Sequence, residues 1–393
     1  MRKYLSKLTF WKATAALILL AGAYSAGVRI FGGLGAATNL SDEFPWGLWI
    51  GFDILCGVGL AAGGFTLAAI VYIFNAKKFE PIIRPTILTA FLGYVLVIVA
   101  LMFDLGRPNQ IWHAIIMWNP HSVMFEVAWC VMLYTTVLSL EFLPVVLERF
   151  RLTKAMSVLK KISIPLIILG VLLSTLHQSS LGSLYLIVPE KLYGLWYTPY
   201  LPVFFFVSAI AAGCGMIIFE SFLSSRAFNR GLEMGLLSEI GRVAVVMLSV
   251  YLTMKIVDLA DRQAFSMLFV PRTETCLYWL EIIVGVVAPL LMLSQAKVRA
   301  SQNGLFASAV MIILGFVLNR MNIGISGMEA WAGKSYFPSW MEIAVTLSIV
   351  VVGFIAFALA AKYLPLFSHE RTRERHIPTQ EWIEDLMTVS QPH

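Results

Sequence analysis

The sequence predicts an all-α membrane protein, a polytopic bundle of about ten transmembrane helices. Of the 393 residues, 59% are hydrophobic and only 13% are charged. Apolar runs of about 20 residues, the length that a helix needs to cross hydrocarbon, recur from one end of the chain to the other. This combination excludes a soluble globular domain.

Ten apolar segments are the predicted spans. They cover residues 10–32, 46–75, 86–105, 121–147, 162–186, 200–223, 236–260, 276–296, 304–325 and 338–363. The first follows a basic N-terminus, as in a signal peptide, but its apolar run continues to Phe31, so an uncleaved span is expected. In the second, the small-x-x-x-small spacing of Gly47, Gly51, Gly59 and Gly63 permits close contact with another helix.

The loops between these segments alternate in charge. One set is rich in Lys and Arg, whereas the other holds only Arg107, Lys191, Arg262, Arg272 and Lys334. By the positive-inside rule, both termini are expected to be cytoplasmic. The net charge of +6 therefore reports orientation rather than nucleic-acid binding. Residues 1–367 are the expected transmembrane domain, and the charged residues 368–393 are an expected cytoplasmic tail.

Ionisable residues inside the predicted spans are unevenly distributed in depth. Those toward the outer side are Arg29, Asp53, Asp104, Arg107, His121, Glu126, His177, Asp258, Asp261, Glu281, Arg320 and Glu342, and those toward the inner side are Glu141, Glu220, Glu239 and Arg242. Snorkelling alone would spread such residues over both faces. The bias predicts a polar cavity that opens outward.

The fifth segment becomes polar before it has finished crossing the membrane. At ~1.5 Å of rise per residue, His177 lies roughly 12 Å short of the helix exit near Tyr185. Polar groups at this depth are costly and usually functional, although serines such as Ser180 also form hydrogen bonds between helices. His177, with Gln178 beside it, is therefore the first candidate site residue.

Charge pairs are expected around this site. Asp104 and Arg107 are three residues apart at a helix end, so they are expected to pair locally. Asp53 lies one or two turns inside the outer boundary and needs either a cation or a proton. The obvious cations are Arg29 and Arg320.

Histidines and cysteines limit the redox cofactors. His113, His121 and His177 are all on the outer side, which excludes the paired axial ligands of a two-haem cytochrome b but leaves open one haem between His121 and His177. The four cysteines are Cys56, Cys130, Cys214 and Cys276. Because no two of them form a C-x-x-C pair, they predict neither an iron–sulfur cluster nor a zinc site.

Three classes of function fit an outward polar cavity. A quinone site needs an apolar slot reachable from lipid and hydrogen-bond donors at the carbonyl oxygens. His177, with a carboxylate such as Asp104 or Asp258 behind it, is such a donor. A secondary transporter needs access from both sides, which the sparsely polar inner half argues against. An inert membrane anchor would not need so many buried charges.

Several motifs resemble those of the NrfD/polysulfide reductase family of membrane subunits, most closely its HybB-type branch. These motifs are FPWGLWIGFD at residues 44–53, DLGR at 104–107, NPHSVMFE at 119–126, LEF at 140–142, HQSSLGSL at 177–184, and Phe337-Pro338 with Glu342. The resemblance implies ten spans that include a pair of four-helix bundles, without bound haem. It also implies a quinone site near the outer face and an extracytoplasmic iron–sulfur partner.

The function expected from residues and resemblance together is a haem-free, quinone-binding membrane subunit of an oxidoreductase complex in the cytoplasmic membrane. The substrate would be menaquinone or ubiquinone, and the chain itself would carry no haem and no iron–sulfur cluster. Expected partners are an extracytoplasmic, ferredoxin-like iron–sulfur subunit and a catalytic or cytochrome c subunit. An ion-conducting, transporter-like subunit and an inert anchor remain the alternatives.

Each expected role has its own residues. The catalytic residues are His177, Asp104 and Arg107; the quinone-binding residues are His177, Ser180, Asp53, His121, Asp258 and Arg320; and the proton route from the cytoplasm is Glu126, Glu141, Glu220 and Glu239. Electrons that enter from outside and protons that enter from inside would make turnover electrogenic.

Overall fold

Long apolar helices account for nearly all of the described chain. The computed structural model describes residues 10–228 and 231–366, with the backbone alone at Lys77 and Lys160. The expected tail at 368–393 and the N-terminal basic residues lie outside the described residues. Within the two described ranges the secondary structure is helical, without a β-strand.

Ten helices are long and apolar enough to cross a membrane within the described residues, which confirms the predicted number. We number them as spans 1 to 10. They are Phe10–Gly32, Trp49–Ile73, Glu80–Asp104, Val123–Phe150, Lys161–Ile187, Leu201–Phe228, Met234–Asp261, Thr273–Ser294, Gln302–Ala332 and Trp340–Tyr363.

Successive spans run in opposite directions, so their connections fall on two faces of the bundle. The loop-rich face carries residues 33–48, 105–122, 188–200, 262–272 and 333–339, and the described connections on the basic face are residues 74–79, 151–160, 231–233 and 295–301. Cross-links hold each face together. Ser339 donates a hydrogen bond of 2.6 Å to the Ala37 carbonyl on the loop-rich face. Lys78 forms an ion pair with Glu239 on the basic face. The assignment of the basic face to the cytoplasm stays a prediction.

The spans pack into two four-helix rings. In the first ring, spans 2, 3, 4 and 5 each contact the next, and span 5 packs back against span 2. Spans 6, 7, 8 and 9 close the second ring in the same way. Spans 1 and 10 pair with each other outside the rings, and span 10 packs against span 3. The expected architecture of two four-helix bundles with extra helices is confirmed.

Glycines let the two rings approach closely between spans 2 and 6. A Cβ atom on Gly213 of span 6 would lie only 2.8 Å from the backbone nitrogen of Gly63. Farther along span 2, Gly59 packs under the ring of Phe316, and Gly51 faces Ile325 of span 9. The glycine spacing of span 2 therefore serves the contact with the second ring, as its pattern predicted.

Several spans contain short π-helical segments, which change the direction of the side chains that they carry. These π-helical segments are Trp49–Ile54 and Ala69–Ile73 in span 2, Ile283–Val287 in span 8, and Asn322–Ser326 in span 9. Such turns are rare and often occur at functional sites. Asp53 lies in the first segment and Asn322 in the last, so both side chains are presented by locally irregular backbone.

We expect Gly213→Ala to destabilise the protein, because the added methyl group meets backbone atoms that cannot move aside. Overpacking of this kind costs about 1–3 kcal/mol. The measurement is the apparent Tm of the purified chain in detergent. The matched control is Gly27→Ala in span 1, where a Cβ would meet nothing within 4 Å. An equal Tm for the two variants would contradict the close contact between the rings.

Candidate functional site

The polar side chains that are buried, or that contact buried ones, form three separate groups, not the single outward cavity that the sequence suggested. The acid group is Arg29, Asp53, Asp104, Tyr336, Glu342 and Thr346; the histidine group is Tyr94, Glu126, Tyr134, Ser174, His177 and Ser180; and the second-ring group is Trp196, Lys255, Glu281, Asn319, Arg320 and Asn322. The expectation of one shared cavity needs correction, because depth alone does not say which way a side chain faces around its helix.

Arg29 of span 1 is the buried cation of the acid group. Its Nε donates to the Phe103 carbonyl and its terminal nitrogen to the Leu105 carbonyl, both at 2.6 Å. The guanidinium thereby caps the end of span 3 and interacts electrostatically with Asp104. The expected pairing of Asp104 with Arg107 is wrong: Arg107 is exposed in the following loop, and within the described ranges no ion pair joins the two.

Asp53 lies close enough to Asp104 for the two carboxyl groups to interact electrostatically. Thr346 of span 10 donates a 2.7 Å hydrogen bond to Asp53 Oδ2 and so orients it. Among the described residues, Arg29 is the one buried arginine of the acid group, so one of the two carboxyl groups can hold a proton rather than a full charge.

Glu342 lies in the first turn of span 10, where its carboxylate joins three neighbouring groups. Its carboxylate accepts hydrogen bonds from the backbone of Asn39 at 3.0 Å and of Ser339 at 2.8 Å, and also from the Tyr336 hydroxyl. Burial, with this carboxylate as the acceptor, raises the pKa of Tyr336 well above its ordinary value. The phenol therefore stays protonated and remains a donor, and Glu342 has most of its acceptor sites occupied.

An apolar groove of about 400 Å³ runs beside the acid group, between spans 2, 3, 6 and 10. Its walls are almost entirely aliphatic and aromatic, and the ionisable side chains in them are Asp53 and Glu220. Asp53 marks the end nearest the loop-rich face, while Ala227 and Phe228 lie toward the basic face. Phe354, on the span 10 side, is 60% exposed, so the groove faces the lipid.

His177, the first sequence candidate, is fully buried in the histidine group. Its Nδ1 is 2.9 Å from the Tyr94 hydroxyl, and the Tyr94 ring packs edge-on against Tyr134. Its Nε2 and the hydroxyl of Ser174 have no hydrogen-bond partner in the described part of the chain. The expectation that Asp104 or another carboxylate backs His177 is wrong, because Tyr94 occupies that position.

Ser180 and Glu126 meet at the loop-rich end of the first ring. Ser180 donates a 2.5 Å hydrogen bond to Glu126 Oε1, which links span 5 to the first turn of span 4. Glu126 is itself exposed, as is His121 in the preceding loop. The structure therefore brings Ser180 and Glu126 together but leaves His121 outside the group.

In the second ring, Glu281 is held by neutral donors. Its carboxylate accepts from Asn319 at 2.7 Å, from Asn322 at 2.9 Å and from the Trp196 indole at 2.9 Å. Arg320 donates to Asn319 and, at 2.9 Å, to Ser208. The sequence pointed to Arg320 and Glu281, but it gave no reason to single out the asparagines or the tryptophan that connect them.

Asp258, expected to bind quinone, forms an ion pair of 2.6 Å with Arg262 and accepts a 2.5 Å hydrogen bond from Thr198. The spacing of Asp258 and Arg262, one helical turn apart, was the sequence signal for this pair. Lys255 is buried among the rings of Phe204, Tyr251 and Tyr278, with its ammonium 4.8 Å from the centre of the Phe204 ring. Neither Lys255 nor Asp258 lines the groove.

A second cavity, of about 630 Å³, opens inside the first ring at the basic face. All four spans of the ring contribute to its wall, which includes Tyr72, Arg84 and Glu141. The four glutamates of the expected proton route are thus dispersed. Glu126 and Glu141 belong to the first ring, Glu220 lines the groove, and Glu239 is ion-paired with Lys78. The expectation of one continuous four-glutamate route is corrected accordingly.

His121 and His177, the pair that the sequence left open, do not fit as the two imidazole ligands of one haem. His177 is fully enclosed with Nδ1 bonded to Tyr94, whereas His121 is exposed before span 4. Two axial ligands would have to face one shared space, and neither histidine lines the groove or the basic-face cavity. Among the described residues, no cluster of three or more His, Cys, Asp and Glu side chains is placed to hold a metal ion.

Comparison with known proteins gives a consistent set of relatives. The sequence profile of the family described as polysulphide reductase, NrfD, matches residues 36–332. A protein of Nitratidesulfovibrio vulgaris Hildenborough is 40% identical over 92% of this chain and 95% of its own length. The probable Ni/Fe-hydrogenase 2 b-type cytochrome subunit of Escherichia coli K12 is 33% identical over 86% of this chain and 87% of its own. The menaquinone reductase integral membrane subunit of N. vulgaris is 29% identical over 94% of both chains.

We expect a double-mutant cycle to couple Arg29 to Asp104. Arg29→Gln alone removes a buried positive charge near Asp104 and two hydrogen bonds to the end of span 3, and a hydrogen bond to a charged group is worth about 1.5–3 kcal/mol. Asp104→Asn in the same chain should recover part of that loss, as measured by urea or thermal unfolding in detergent. The control cycle pairs Arg107→Gln with Asp104→Asn and should be additive. Coupling to Arg107 instead of Arg29 would overturn the assignment of partners.

Proposed function

This chain belongs to the polysulphide reductase NrfD family, and on that premise we propose that it is the quinone-reacting membrane subunit of an oxidoreductase complex. It is an integral, multi-pass membrane protein, and its relatives are membrane subunits of redox complexes, including a menaquinone reductase. The proposal assigns the substrate, menaquinone or ubiquinone, to a particular place in this fold.

The groove between spans 2, 3, 6 and 10 is the observation that carries the proposal. A quinone has a long apolar tail and a polar ring, and the groove has apolar walls that end at the carboxyl group of Asp53. Its volume of about 400 Å³ lies within the usual range of small-molecule pockets. The tail would lie along spans 6 and 10, toward the lipid, and the ring would lie against Asp53.

The acid group supplies the proton chemistry at that end. Reduction of a quinone takes two electrons and two protons, and oxidation of the quinol releases them. Asp53, oriented by Thr346, is placed to exchange a proton with a quinone oxygen. Asp104 is the next carboxyl group, and the Arg29 guanidinium near it offsets negative charge on Asp104. In this proposal Asp104 keeps its catalytic role, but Arg29 replaces Arg107 as its cation.

Electrons would enter from a partner docked on the loop-rich face. Asp53 and Asp104 both lie near that face, so a redox centre seated there would be close to the quinone ring. An iron–sulfur subunit on the extracytoplasmic side is the partner that we propose, with a catalytic or cytochrome c subunit beyond it. His177 has a different role here, because it is enclosed between Tyr94 and its own helix and does not line the groove.

We also propose that protons reach the redox site through the first ring. The basic-face cavity leads to Glu141, and the histidine group continues along the ring toward Glu126. Glu126 and Glu141 are separated by roughly 22 Å of helix rise. Tyr134, two turns from Glu141 on span 4, and His177 carry exchangeable protons along this axis. Proton uptake from the basic face, combined with electron entry from the opposite face, would make turnover electrogenic.

Filling the groove should impair quinone binding. We expect Val350→Trp to raise the KM for a soluble menaquinone analogue about tenfold, equivalent to about 1.4 kcal/mol of binding. Val350 lines the groove, whereas Leu347 lies one turn earlier on the same span, is 44% exposed, and is outside the groove wall. Leu347→Trp is therefore the matched control. The assay is quinone turnover by the complex purified with its native partners.

Asp53→Asn should lower kcat rather than raise KM, because the amide fills the same space but cannot exchange a proton. Loss of a positioned acid–base group costs about 10²- to 10⁴-fold in rate. The comparison variant is His177→Asn, which should retain much more quinone turnover than Asp53→Asn. Normal turnover by Asp53→Asn together with a dead His177→Asn would return the reaction to His177, as the sequence alone suggested.

Glu141→Gln should lower the number of protons taken up from the basic side per electron transferred, while quinone still turns over. The measurement uses the complex in liposomes, with a pH-sensitive dye inside and a reductant outside. Glu239→Gln serves as control, since Glu239 is partly exposed and paired with Lys78 at the surface. An unchanged proton-to-electron ratio in Glu141→Gln would count against a route through the first ring.

A further inference from the structure

The connection between spans 3 and 4 exposes an unusual run of large apolar side chains. We call residues 108–118 the connecting segment; it consists of two short helical turns, Pro108–Gln110 and His113–Ile116. Its exposed apolar residues are Ile111, Trp112, Ile115, Ile116, Met117 and Trp118, with 39% to 65% of each side chain accessible. Such a patch needs a partner that removes it from water.

The segment lies beside span 4 rather than above it. The indole nitrogen of Trp129 donates a 2.9 Å hydrogen bond to the Ala114 carbonyl. The ring of Trp118 packs against Trp129, with centroids 4.8 Å apart, and against Phe125 at 5.6 Å. Span 4 begins at Val123, so Trp129 is roughly 9 Å below the helix start at ~1.5 Å per residue. The connection therefore folds back along the first turns of span 4.

The connecting segment differs from the other connections on the same face because it has no acidic or basic Asp, Glu, Lys or Arg residue. Between Arg107 and Glu126 the chain carries no Asp, Glu, Lys or Arg. The neighbouring connections do carry charges: Asp42 and Glu43 in one, Glu190 and Lys191 in another, and Lys334 in a third. A surface that meets water or a polar protein partner usually keeps such residues, whereas tryptophans beside aliphatic side chains are typical of the membrane interface.

We propose that the connecting segment is a re-entrant element embedded in the lipid leaflet of the loop-rich face. Its occupant is lipid, namely the acyl chains and glycerol region beside spans 3 and 4, and not a protein subunit. Span 4, beside the segment, also exposes the apolar side chains of Met124 and Leu133. An electron-donating partner would then dock on the charged connections instead. The inference rests on the membrane position of the spans and not on the proposed quinone chemistry.

Depth measured with a spin label tests this placement. Ile115→Cys is labelled in a chain whose exposed Cys276 is replaced by Ser, because the other described cysteines are buried. The full complex is placed in liposomes, and relaxation by oxygen, which concentrates in lipid, is compared with relaxation by a water-soluble nickel chelate. Leu133→Cys on span 4 is the lipid reference. Lys334→Cys, in a charged connection of the same face, is the water reference, and it is measured in liposomes without the partner subunits.

The label at Ile115 should match the one at Leu133, with high oxygen and low nickel accessibility, whether or not the partner subunits are present. A label at Ile115 that resembles Lys334 would overturn the proposal and place the segment in water. Shielding from both reagents that is relieved when the partners are removed would also overturn it, since the segment would then be a protein docking surface. Ile116→Cys gives an independent reading if the first variant assembles poorly.

Discussion

The contact between Gly63 and Gly213 is the constraint on which the rest of the arrangement depends. It brings span 2 of the first ring against span 6 of the second without side chains between the two backbones. Spans 3 and 10 flank spans 2 and 6, and the groove is the lipid-facing slot between these four spans. The π-helical turn at Trp49–Ile54 then presents Asp53 to the end of that slot.

The depth of each ionisable side chain along its helix could be predicted from the sequence, but the direction in which it points around the helix could not. Hydropathy gave the ten spans, and the glycine spacing of span 2 correctly indicated a close helix contact. The acid and basic residues were then treated as one cavity because they share a depth. Arg29 caps the end of span 3 beside Asp104, across about 75 positions of chain, and local spacing cannot reveal such a tertiary contact; the nearer Arg107 is exposed. Tyr94 was overlooked for the same reason, since its contact with His177 is tertiary.

We propose different roles for the groove, the first ring and the second ring, because their polar groups are separate in the structure. In the proposal, the groove would receive an apolar substrate from lipid beside the contact between the rings, while the cavity at the basic face leads into the first ring. Polar side chains inside the first ring stay out of contact with the substrate tail. The second ring contributes a fixed network around Glu281 and Arg320, which is built from neutral donors and stacked rings. Its hydrogen bonds are largely satisfied, which is typical of a structural core.

The most direct measurement is to map where a photoreactive quinone attaches to the complex. The analogue carries its reactive group on the quinone ring, is used at low occupancy in liposomes, and is located by peptide mass spectrometry after illumination. Attachment to span 2 near Asp53, or to the facing parts of spans 3 and 10, and competition by excess menaquinone are the results we predict. Attachment to spans 4 and 5 around Tyr134 and His177 would contradict the groove as the site of quinone chemistry.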